Sequence, residues 1–228
     1  MGGIRRFFTE QIPLNGEQVV LSPEVSHHLL RVVGIAPQEE VELFDGKGQA
    51  CRGKLVGVRA GCAVILVSLM VPRKAPRREI HLFQGLLRQQ AFSTVLRMST
   101  ELGVMHIHPV LCTRSVARGD KPQRWRKIVA SSVAQSGRSD WPQLYELSSF
   151  EQACKLVNYC HRWVLHPDTE GSMVSERGDP VAVFIGPEGG LTDTELELAL
   201  TEGWRLAGFS GGVLRADTAA AAALAQFL

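Results

Sequence analysis

The sequence lacks the features that mark membrane and secreted proteins. No part of its 228 residues approaches the roughly 20 uncharged apolar residues in a row that a membrane-spanning helix needs. The initial segment MGGIRRFFTE also lacks the apolar h-region of a secretory signal peptide. These absences predict a protein of the cytoplasm that has no membrane partner.

The arrangement of the cysteines argues against two kinds of site. The five cysteines are odd in number and form no Cys-x-x-Cys pair, so neither a disulfide framework nor a tetrahedral zinc site is predicted. The nearest approach to a metal cluster is His106-Ile107-His108, whose two histidines would share one face of a strand. A strand with two polar positions is the favoured interpretation, and no metal ligand is predicted.

Charge is nearly balanced, at a formal net value of +2, but it is unevenly distributed. From Arg73 to Arg138 there are 13 lysines and arginines against 3 acidic residues, whereas from Asp168 to Glu202 there are 9 acidic residues against one arginine. A basic middle segment on a nearly neutral chain is typical of a phosphate-binding surface. The alternative is that these charges lie on different faces and are simply solvated.

Residues 1–71 are predicted to form a small β-barrel-like domain of short strands. The candidate strands are 18–21, 41–44, 49–58 and 63–69. The turn at Asp45-Gly46 indicates a hairpin. One helix begins at Ser22-Pro23, because serine suits the N-cap and proline the first helical position. The basic, proline-containing segment 72–78 is the predicted linker.

Residues 79–228 show strands and helices that alternate, which is typical of an α/β domain with a mostly parallel sheet. The predicted strands are 80–83, 104–112, 163–165, 181–185 and 205–209. Gly103 and Gly137 are predicted to end helices, and an alanine-rich helix closes the chain. Capping boxes are predicted at Ser148-x-x-Glu151 and at Thr192-x-x-Glu195.

Three loops that follow predicted strands carry the candidate chemistry. They are Leu165-His166-Pro167, Gly186-Pro187-Glu188-Gly189-Gly190 and the segment 210–215. In open parallel sheets, ligands bind beyond the carboxyl ends of the strands, so these loops can converge on one pocket. The glycine-rich loop has neither the P-loop sequence nor the dinucleotide fingerprint, and Glu188 would repel a triphosphate. A neutral or cationic ligand such as S-adenosylmethionine fits better, while a purely structural turn would use the same residues.

Two ordered segments, IGPEGGLTD at 185–193 and VLRADTA at 213–219, resemble the paired motif of the bacterial RsmE family. These proteins are 16S ribosomal RNA uridine-N3 methyltransferases of the SPOUT superfamily. Further segments that stand in the family's order are 100–104, 113–115, 135–138 and 165–167. Segments similar to the family's PUA-like RNA-binding domain are 6–8, 27–32 and 41–46. The resemblance therefore covers nearly the whole chain.

The resemblance implies a fold, a cofactor and partners. The fold would be an α/β SPOUT domain with a parallel sheet and a deep trefoil knot, preceded by a PUA-like β-barrel domain. The protein would be a cytoplasmic homodimer that acts on ribosomal RNA of the small subunit and binds S-adenosylmethionine in the knot. The implied cofactor-binding residues are Leu165, His166, Ile185, Gly186, Pro187, Glu188, Gly189, Gly190, Phe209, Ser210, Gly211, Val213, Leu214, Thr218 and Ala219.

The implied reaction is direct methyl transfer to uridine N3, in which arginines would stabilise negative charge on the uracil oxygens. The candidate catalytic residues are Arg215, Arg138 and Arg114. An ion pair with Asp217 is the alternative, structural explanation of Arg215. The residues expected to face RNA are Arg6, His27, His28, Arg31, Ser115 and Gln135.

The chain departs from the family pattern at several polar positions. Gly212 replaces an arginine, Met98 replaces a lysine, and both Thr113 and Ala134 replace glutamates. These losses fall mostly near the expected RNA or the transferred methyl group, whereas the glycines of the cofactor loop are retained. Two alternatives therefore stand beside the methyltransferase hypothesis. One is a non-catalytic RNA-binding or ribosome-assembly protein, and the other is a SPOUT methyltransferase that acts on a different RNA.

Overall fold

The computed structural model of the chain describes residues 4–72, 78–117, 119–158, 160–169, 171–176, 178–210 and 212–228. The chain divides into two units, one comprising 1–75 with 133–141 and the other comprising 76–132 with 142–228. Residues 133–141 thus group with the first unit, although the sequence analysis assigns them to the second domain. Residues 73–77 of the predicted linker lie outside the described residues, so the linker stays a prediction.

The first unit contains a five-stranded sheet. Its strands are β1 (Arg5–Phe8), β2 (Gln18–Val20), β3 (Glu40–Phe44), β4 (Ala50–Arg59) and β5 (Cys62–Val71), in the order β1-β3-β4-β5-β2. The predicted hairpin is confirmed, because β3 and β4 pair antiparallel. Strand β1 was not predicted from the sequence, and it pairs parallel with β3. Among the described strands no ladder joins β1 to β2, so closure into a barrel stays a prediction.

A short helical segment packs against this sheet. Helix α1 (Pro23–His27) begins as predicted, since Ser22 Oγ accepts a hydrogen bond from the Val25 N–H. The chain continues into a π-helical turn (His28–Val33), within which Leu29 is fully buried in the apolar core of the unit. The turn ends at Gly34, whose φ of 74° is backbone that favours glycine.

The second unit contains a seven-stranded sheet whose ladders are all parallel, which confirms the predicted α/β class. Its strands are β6 (Ile80–Gly85), β7 (His106–Leu111), β8 (Gln143–Leu144), β9 (Ser148–Ser149), β10 (His161–Leu165), β11 (Val181–Ile185) and β12 (Arg205–Ala207). The order is β12-β10-β11-β6-β7-β8, and β9 also pairs with β7. All residues of β11 are buried, as expected of a central strand covered on both faces.

Helices connect these strands. They are α2 (Gln89–Glu101), α3 (Pro122–Ser136), α4 (Phe150–Cys154), α5 (Asp193–Thr201) and α6 (Ala216–Ala225). Gly103 and Gly137 follow the ends of α2 and α3 with φ values of 89° and 76°, which confirms both predicted stops. None of the helices that the described residues form is long and apolar enough to cross a membrane.

The two predicted capping boxes have different outcomes. The box of α5 is confirmed, with Thr192 at the N-cap. The box of α4 was predicted one residue too early, because the helix begins at Phe150 and its N-cap is therefore Ser149. The reciprocal partner is accordingly Gln152 and not Glu151.

Aromatic residues fill the core of the second unit. Trp204 stands edge-on to Phe83 and Phe184, with ring centroids 5.3 and 5.8 Å away, and its indole N–H donates to the Cys154 carbonyl at 3.0 Å. Because the ladders are parallel, the carboxyl ends of β6, β7, β10, β11 and β12 lie along one edge of the sheet. The loops that leave this edge carry most of the predicted site residues. The trefoil knot stays a prediction.

Candidate active site

A cavity of about 1200 Å³ opens at the carboxyl edge of the parallel sheet. It is lined by the loops that follow β6, β7, β10, β11 and β12, together with the beginnings of α2 and α6. All the lining residues belong to the second unit. The structure therefore brings together the three loops that the sequence analysis singled out.

The glycine-rich loop is shaped by a tight turn and a close approach. Strand β11 ends at Ile185, and the Pro187 carbonyl then accepts a hydrogen bond from the Gly190 N–H at 2.9 Å. Gly190 has a φ of 70°, which glycine adopts without a steric penalty. Gly85, at the end of β6, packs so closely that a Cβ there would lie 2.6 Å from the Pro187 nitrogen. With glycine at three of its five positions, the loop presents mainly backbone to the cavity.

A carboxylate ties this loop to helix α2. Glu188 Oε1 accepts a hydrogen bond from the backbone N–H of Arg88 at 2.8 Å. Arg88 is the N-cap residue of α2 and forms no side-chain cap of its own. The Glu188 charge therefore lies at the positive end of the helix dipole, where an anion is stabilised. Glu188 is also exposed to the cavity, where its charge suits a cationic ligand.

A second carboxylate joins the loop after β7 to the glycine-rich loop. Glu195 is only 7% exposed, and its two oxygens accept hydrogen bonds at 2.8 Å from the N–H groups of Thr113 and Thr192. Arg114, the residue after Thr113, donates from Nη1 to the Leu191 carbonyl at 3.0 Å. These bonds hold Arg114 beside the glycine-rich loop.

The loops after β10 and β12 pack tightly on each other. The His166 N–H donates to the Ala207 carbonyl at 2.9 Å. A Cβ at Gly208 would collide with the Thr169 carbonyl oxygen and lie 2.7 Å from that of His166. His166 Nδ1 accepts a hydrogen bond from the Asp168 N–H at 3.3 Å, so a neutral ring carries its proton on Nε2.

Arg215 and Asp217 lie at the start of α6 and line the cavity. Arg215 is the N-cap residue and is exposed, and the Asp217 carboxylate accepts a hydrogen bond from the Thr218 N–H at 2.9 Å. Within the described part of the chain, no ion pair joins Arg215 to Asp217. The structural explanation of Arg215 that the sequence left open is therefore not supported.

Most of the residues implied as cofactor ligands line the cavity. They are Leu165, His166, Ile185, Gly186, Pro187, Glu188, Gly189, Gly190, Phe209, Val213, Leu214 and Ala219. Ser210 and Thr218 are not among the lining residues. Gly211 lies outside the described residues. Two of the three candidate catalytic arginines, Arg114 and Arg215, also line the cavity.

Two arginines that were expected to act on RNA are engaged inside the first unit. The Arg138 side chain is 1% exposed, and its Nη2 lies 2.7 Å from a carboxylate oxygen of Asp140. Arg6 pairs with Glu42 at 2.8 Å and donates to the Arg138 carbonyl at 2.7 Å. Neither residue lines the cavity. This geometry supports structural roles for both arginines. The catalytic role of Arg138 and the RNA-binding role of Arg6 stay predictions.

The other residues expected to face RNA fall into two groups. Ser115 is buried, and its Oγ accepts a hydrogen bond from the Cys112 N–H at 3.2 Å, so it shapes the loop that carries Arg114. The others are exposed on the first unit: His27, His28, Arg31 and Gln135. An RNA-facing role for this second group stays a prediction.

One wall of the cavity was not predicted from the sequence, and β6 and α2 supply it. Leu87 and Arg88 follow β6, and Gln90 and Thr94 lie on α2. A signal was available, because β6 was predicted as a strand of the same parallel sheet. Its carboxyl end must then lie on the same edge as those of the other strands.

The charged side chains of the cavity are three arginines and three carboxylates. The residues that carry these charges are Arg88, Arg114, Arg215, Asp168, Glu188 and Asp217. Cys112 precedes the loop that carries Arg114, and burial, with a smaller contribution from Glu195, raises the pKa of its thiol well above the usual value. A thiol that stays protonated is a poor nucleophile, and Cys112 does not line the cavity.

Comparison with known proteins places this cavity in a family context. The family model described as the RNA methyltransferase domain matches residues 73–228. The chain is 28% identical over 218 residues to ribosomal RNA small subunit methyltransferase E of Synechocystis, covering 91% of this chain and 72% of that protein. It is 25% identical over 242 residues to the protein of the same name from Bacillus subtilis, covering 95% of this chain and 93% of that protein.

Two solved structures share the fold over nearly the whole chain. One is a methyltransferase from Legionella pneumophila in complex with S-adenosylmethionine, at a TM-score of 0.91 and 25% identity, with 99% of this chain and 97% of that chain covered. The other is ribosomal RNA small subunit methyltransferase E from Neisseria gonorrhoeae bound to S-adenosylmethionine. Its TM-score is 0.90 and its identity 28%, and the coverage is 98% of this chain and 96% of that chain.

Proposed function

Since the chain belongs to the RNA methyltransferase domain family, we propose that it transfers the methyl group of S-adenosylmethionine to N3 of one uridine in 16S ribosomal RNA. One observation carries this proposal. The glycine-rich loop and the loop before α6 meet in one cavity, in a chain that shares its fold with two proteins crystallised with this cofactor. The names of the curated relatives support ribosomal RNA of the small subunit as the substrate.

The residues that line the cavity suit S-adenosylmethionine. The glycine-rich loop offers backbone groups at close range, and Leu165, Phe209 and Leu214 supply apolar surface for the adenine ring. Glu188 and Asp168 supply negative charge, which suits a ligand with a sulfonium and an ammonium group. When bound, the cofactor supplies an electrophilic methyl group.

Methyl transfer to N3 forms a carbon–nitrogen bond, breaks the methyl–sulfur bond and releases the N3 proton. Negative charge develops on the two uracil carbonyl oxygens as that proton leaves. Arg215 is exposed at the cavity and is our first candidate to stabilise this charge, with Arg114 as the second. By holding N3 in line with the methyl group, the cavity can contribute roughly 7–11 kcal/mol.

The size of the cavity suits two ligands. Its volume of about 1200 Å³ exceeds the range of roughly 300–1,000 Å³ that is usual for sites with one small ligand. A base can therefore lie beside the cofactor. Because pairing engages N3, the target uridine must be unpaired or extruded from its helix.

The first unit is our candidate for holding the ribosomal RNA. His27, His28 and Arg31 are exposed on α1 and the π-helical turn, where they can contact phosphates and unpaired bases. In keeping with the family resemblance, we propose that the protein acts in the cytoplasm as a homodimer.

The direct test is transfer of labelled methyl groups from S-adenosylmethionine to small ribosomal subunits that lack the modification. Mass spectrometry of the digested RNA should find N3-methyluridine at one position, at about one per subunit. No transfer, in the presence of demonstrated cofactor and subunit binding, would overturn the proposal in favour of a non-catalytic RNA-binding protein. Transfer to another RNA alone would overturn the proposed substrate.

A further inference from the structure

A group of metal-ligating side chains lies at the other end of the parallel sheet. Strands β6 and β7 pair in a register that sets His81 beside His106. Glu79 precedes His81 by two residues and so shares its face. Both histidines lie at the amino ends of their strands, whereas the cofactor cavity lies beyond the carboxyl ends.

The ligand atoms of these three residues converge. Glu79 Oε1 lies 3.0 Å from His81 Nε2 and 3.5 Å from His106 Nε2. The two imidazole rings stack, with centroids 4.1 Å apart and planes inclined by 12°, so both Nε2 atoms face the same carboxylate oxygen. All three ligand atoms lie within 4.8 Å of one another.

We propose that Glu79, His81 and His106 form a binding site for a divalent transition-metal cation, with zinc as the best match. Two imidazoles and a carboxylate are a known three-residue ligand set for zinc, which leaves a fourth position for water. In a tetrahedral site with bonds of about 2.0–2.1 Å, neighbouring ligand atoms are about 3.3 Å apart. The distances from Glu79 Oε1 to the two Nε2 atoms, 3.0 and 3.5 Å, lie on either side of that value.

The second nitrogen of each imidazole supports the same assignment. His81 Nδ1 lies 3.1 Å from His108 Nε2, and His106 Nδ1 lies 3.1 Å from the Tyr145 hydroxyl. Metal-binding histidines almost always donate their other N–H to an acceptor, which fixes the ring and its tautomer. The His108 nitrogen and the Tyr145 oxygen can each accept such a bond. Glu79 Oε1 lies within hydrogen-bond distance of His81 Nε2, so a cation would take the place of the proton between them. With the imidazole proton on Nδ1 instead, Nε2 can bind the cation.

The position of the site suggests what the cation does. His81 is buried, but the His106 and Glu79 side chains are 24% and 36% exposed, which gives a cation a path from solvent. A cation here would join β6 to β7 and fix Glu79 at the start of β6. We therefore expect it to stabilise the second unit and to take no part in methyl transfer.

No metal ligand was predicted from the sequence, because two of the three proposed ligands are distant from His106 in the chain. His106 and His108 are close in sequence, but the proposed site uses only His106. Its partners are His81 on β6 and Glu79 immediately before that strand, and the pairing of β6 with β7 is a long-range contact. A local pattern carries no information about that register.

The test is titration of EDTA-treated protein with ZnCl₂ in an isothermal calorimeter. The wild type should bind Zn²⁺ at this site, and its melting temperature should rise with Zn²⁺. Glu79→Gln and His106→Gln should each weaken binding at least tenfold and remove most of the thermal shift. Both side chains are partly exposed, so the variants should fold, which circular dichroism would check. Tyr145→Phe, which removes only the hydroxyl bound to His106, should weaken binding about tenfold.

His161→Gln is the matched control. His161 also pairs with a carboxylate, at 3.0 Å from Asp179, and should leave the Zn²⁺ affinity unchanged. Co²⁺ titrated in place of Zn²⁺ should give visible d–d absorption without a thiolate charge-transfer band, which excludes the cysteines as ligands. The proposal is overturned if the wild type does not bind Zn²⁺. It is also overturned if Glu79→Gln and His106→Gln keep wild-type affinity, if His161→Gln loses it equally, or if the thiolate band appears.

Discussion

The carboxylate of Glu188 accepts a hydrogen bond from the backbone N–H of Arg88 at 2.8 Å, which joins the glycine-rich loop to the first turn of α2. The two residues are 100 positions apart in sequence. Their bond holds one wall of the cavity against another, since both residues line it. It also explains why this loop carries an acidic residue, which a phosphate-binding loop would avoid. The charge is stabilised by the amino end of a helix and is available to a cationic cofactor.

We expect Glu188→Ala to raise the Kd for S-adenosylmethionine about tenfold, which corresponds to about 1.4 kcal/mol. The substitution removes both the bond to the Arg88 N–H and the negative charge at the cavity. Glu188→Gln keeps an oxygen acceptor but no charge, so its affinity for the cofactor should lie between those of the wild type and Glu188→Ala. Isothermal titration calorimetry with the cofactor measures all three proteins.

Glu151→Ala is the control for this experiment, since Glu151 is exposed on α4 and does not line the cavity. It should bind the cofactor like the wild type. Wild-type affinity in Glu188→Ala would show that the carboxylate is not part of the cofactor site.

Gly208 is required by the close packing of the loops after β10 and β12. In Gly208→Ala, the new methyl group collides with the carbonyl oxygens of Thr169 and His166, both of which belong to the backbone and cannot move aside cheaply. We expect destabilisation of about 1–3 kcal/mol, as is usual for overpacking, and weaker cofactor binding. Urea denaturation and cofactor titration measure the two effects.

A neighbouring glycine provides the control for that prediction. The Gly171 carbonyl accepts a hydrogen bond from the Gly208 N–H, yet a Cβ at Gly171 would have its nearest contact at 3.9 Å, to the Leu206 carbonyl oxygen. Gly171→Ala should therefore change stability by less than about 0.5 kcal/mol. Equal effects of the two substitutions would contradict the steric explanation.

Glu195 stabilises the second unit through three hydrogen bonds. It accepts from the backbone N–H groups of Thr113 and Thr192 and from the Thr192 hydroxyl. Glu195→Ala leaves two backbone donors without this partner, and a buried, unsatisfied donor costs about 1–3 kcal/mol. We expect a loss of about 2–4 kcal/mol in the free energy of unfolding once the lost capping box is included.

Glu197→Ala, an exposed position on the same helix, should have little effect on stability. Urea melts of both variants give the comparison. If Glu195→Ala loses no more free energy of unfolding than Glu197→Ala, the buried carboxylate does not hold together the loops that carry Thr113 and Thr192.

Much of the second unit could be predicted because its signals are local. The apolar run 181–185 and the capping residue Thr192 each report burial or helix geometry within a few residues, and both are confirmed. The motif resemblance then identified the loops of the cavity. The short strand β1 escaped prediction because four residues carry too little periodicity to stand out.

Most of what the sequence did not show depends on contacts between distant segments. The sequence marks Arg6 as basic, but its burial depends on Glu42 and on hydrogen bonds to residues 133–139. The role of Arg88 in the cavity likewise depends on Glu188. Periodicity describes which face of an element is buried and not which partner covers it, so a single sequence could not supply these relationships.

Arg215 provides the sharpest test of the proposed mechanism. Its guanidinium is exposed at the cavity, and among the described residues it forms no ion pair with Asp217. If it stabilises charge on the uracil oxygens, it acts mainly in the transition state, so Arg215→Ala should lower kcat about 10²–10³-fold. The Kd for S-adenosylmethionine should change less than about twofold, because an interaction made only in the transition state adds little to cofactor binding.

The variants Arg215→Lys and Arg205→Ala sharpen this test. Lysine keeps the positive charge but lacks the planar guanidinium fork, so Arg215→Lys should recover part of the lost rate. Arg205 is an exposed arginine on β12 that does not line the cavity, and its removal should leave kcat unchanged. Single-turnover methylation of small ribosomal subunits, with cofactor binding measured in parallel, separates an effect on the rate of methyl transfer from an effect on cofactor affinity. Full activity in Arg215→Ala would remove this residue from the reaction, whereas a parallel loss of cofactor affinity would make it a cofactor ligand.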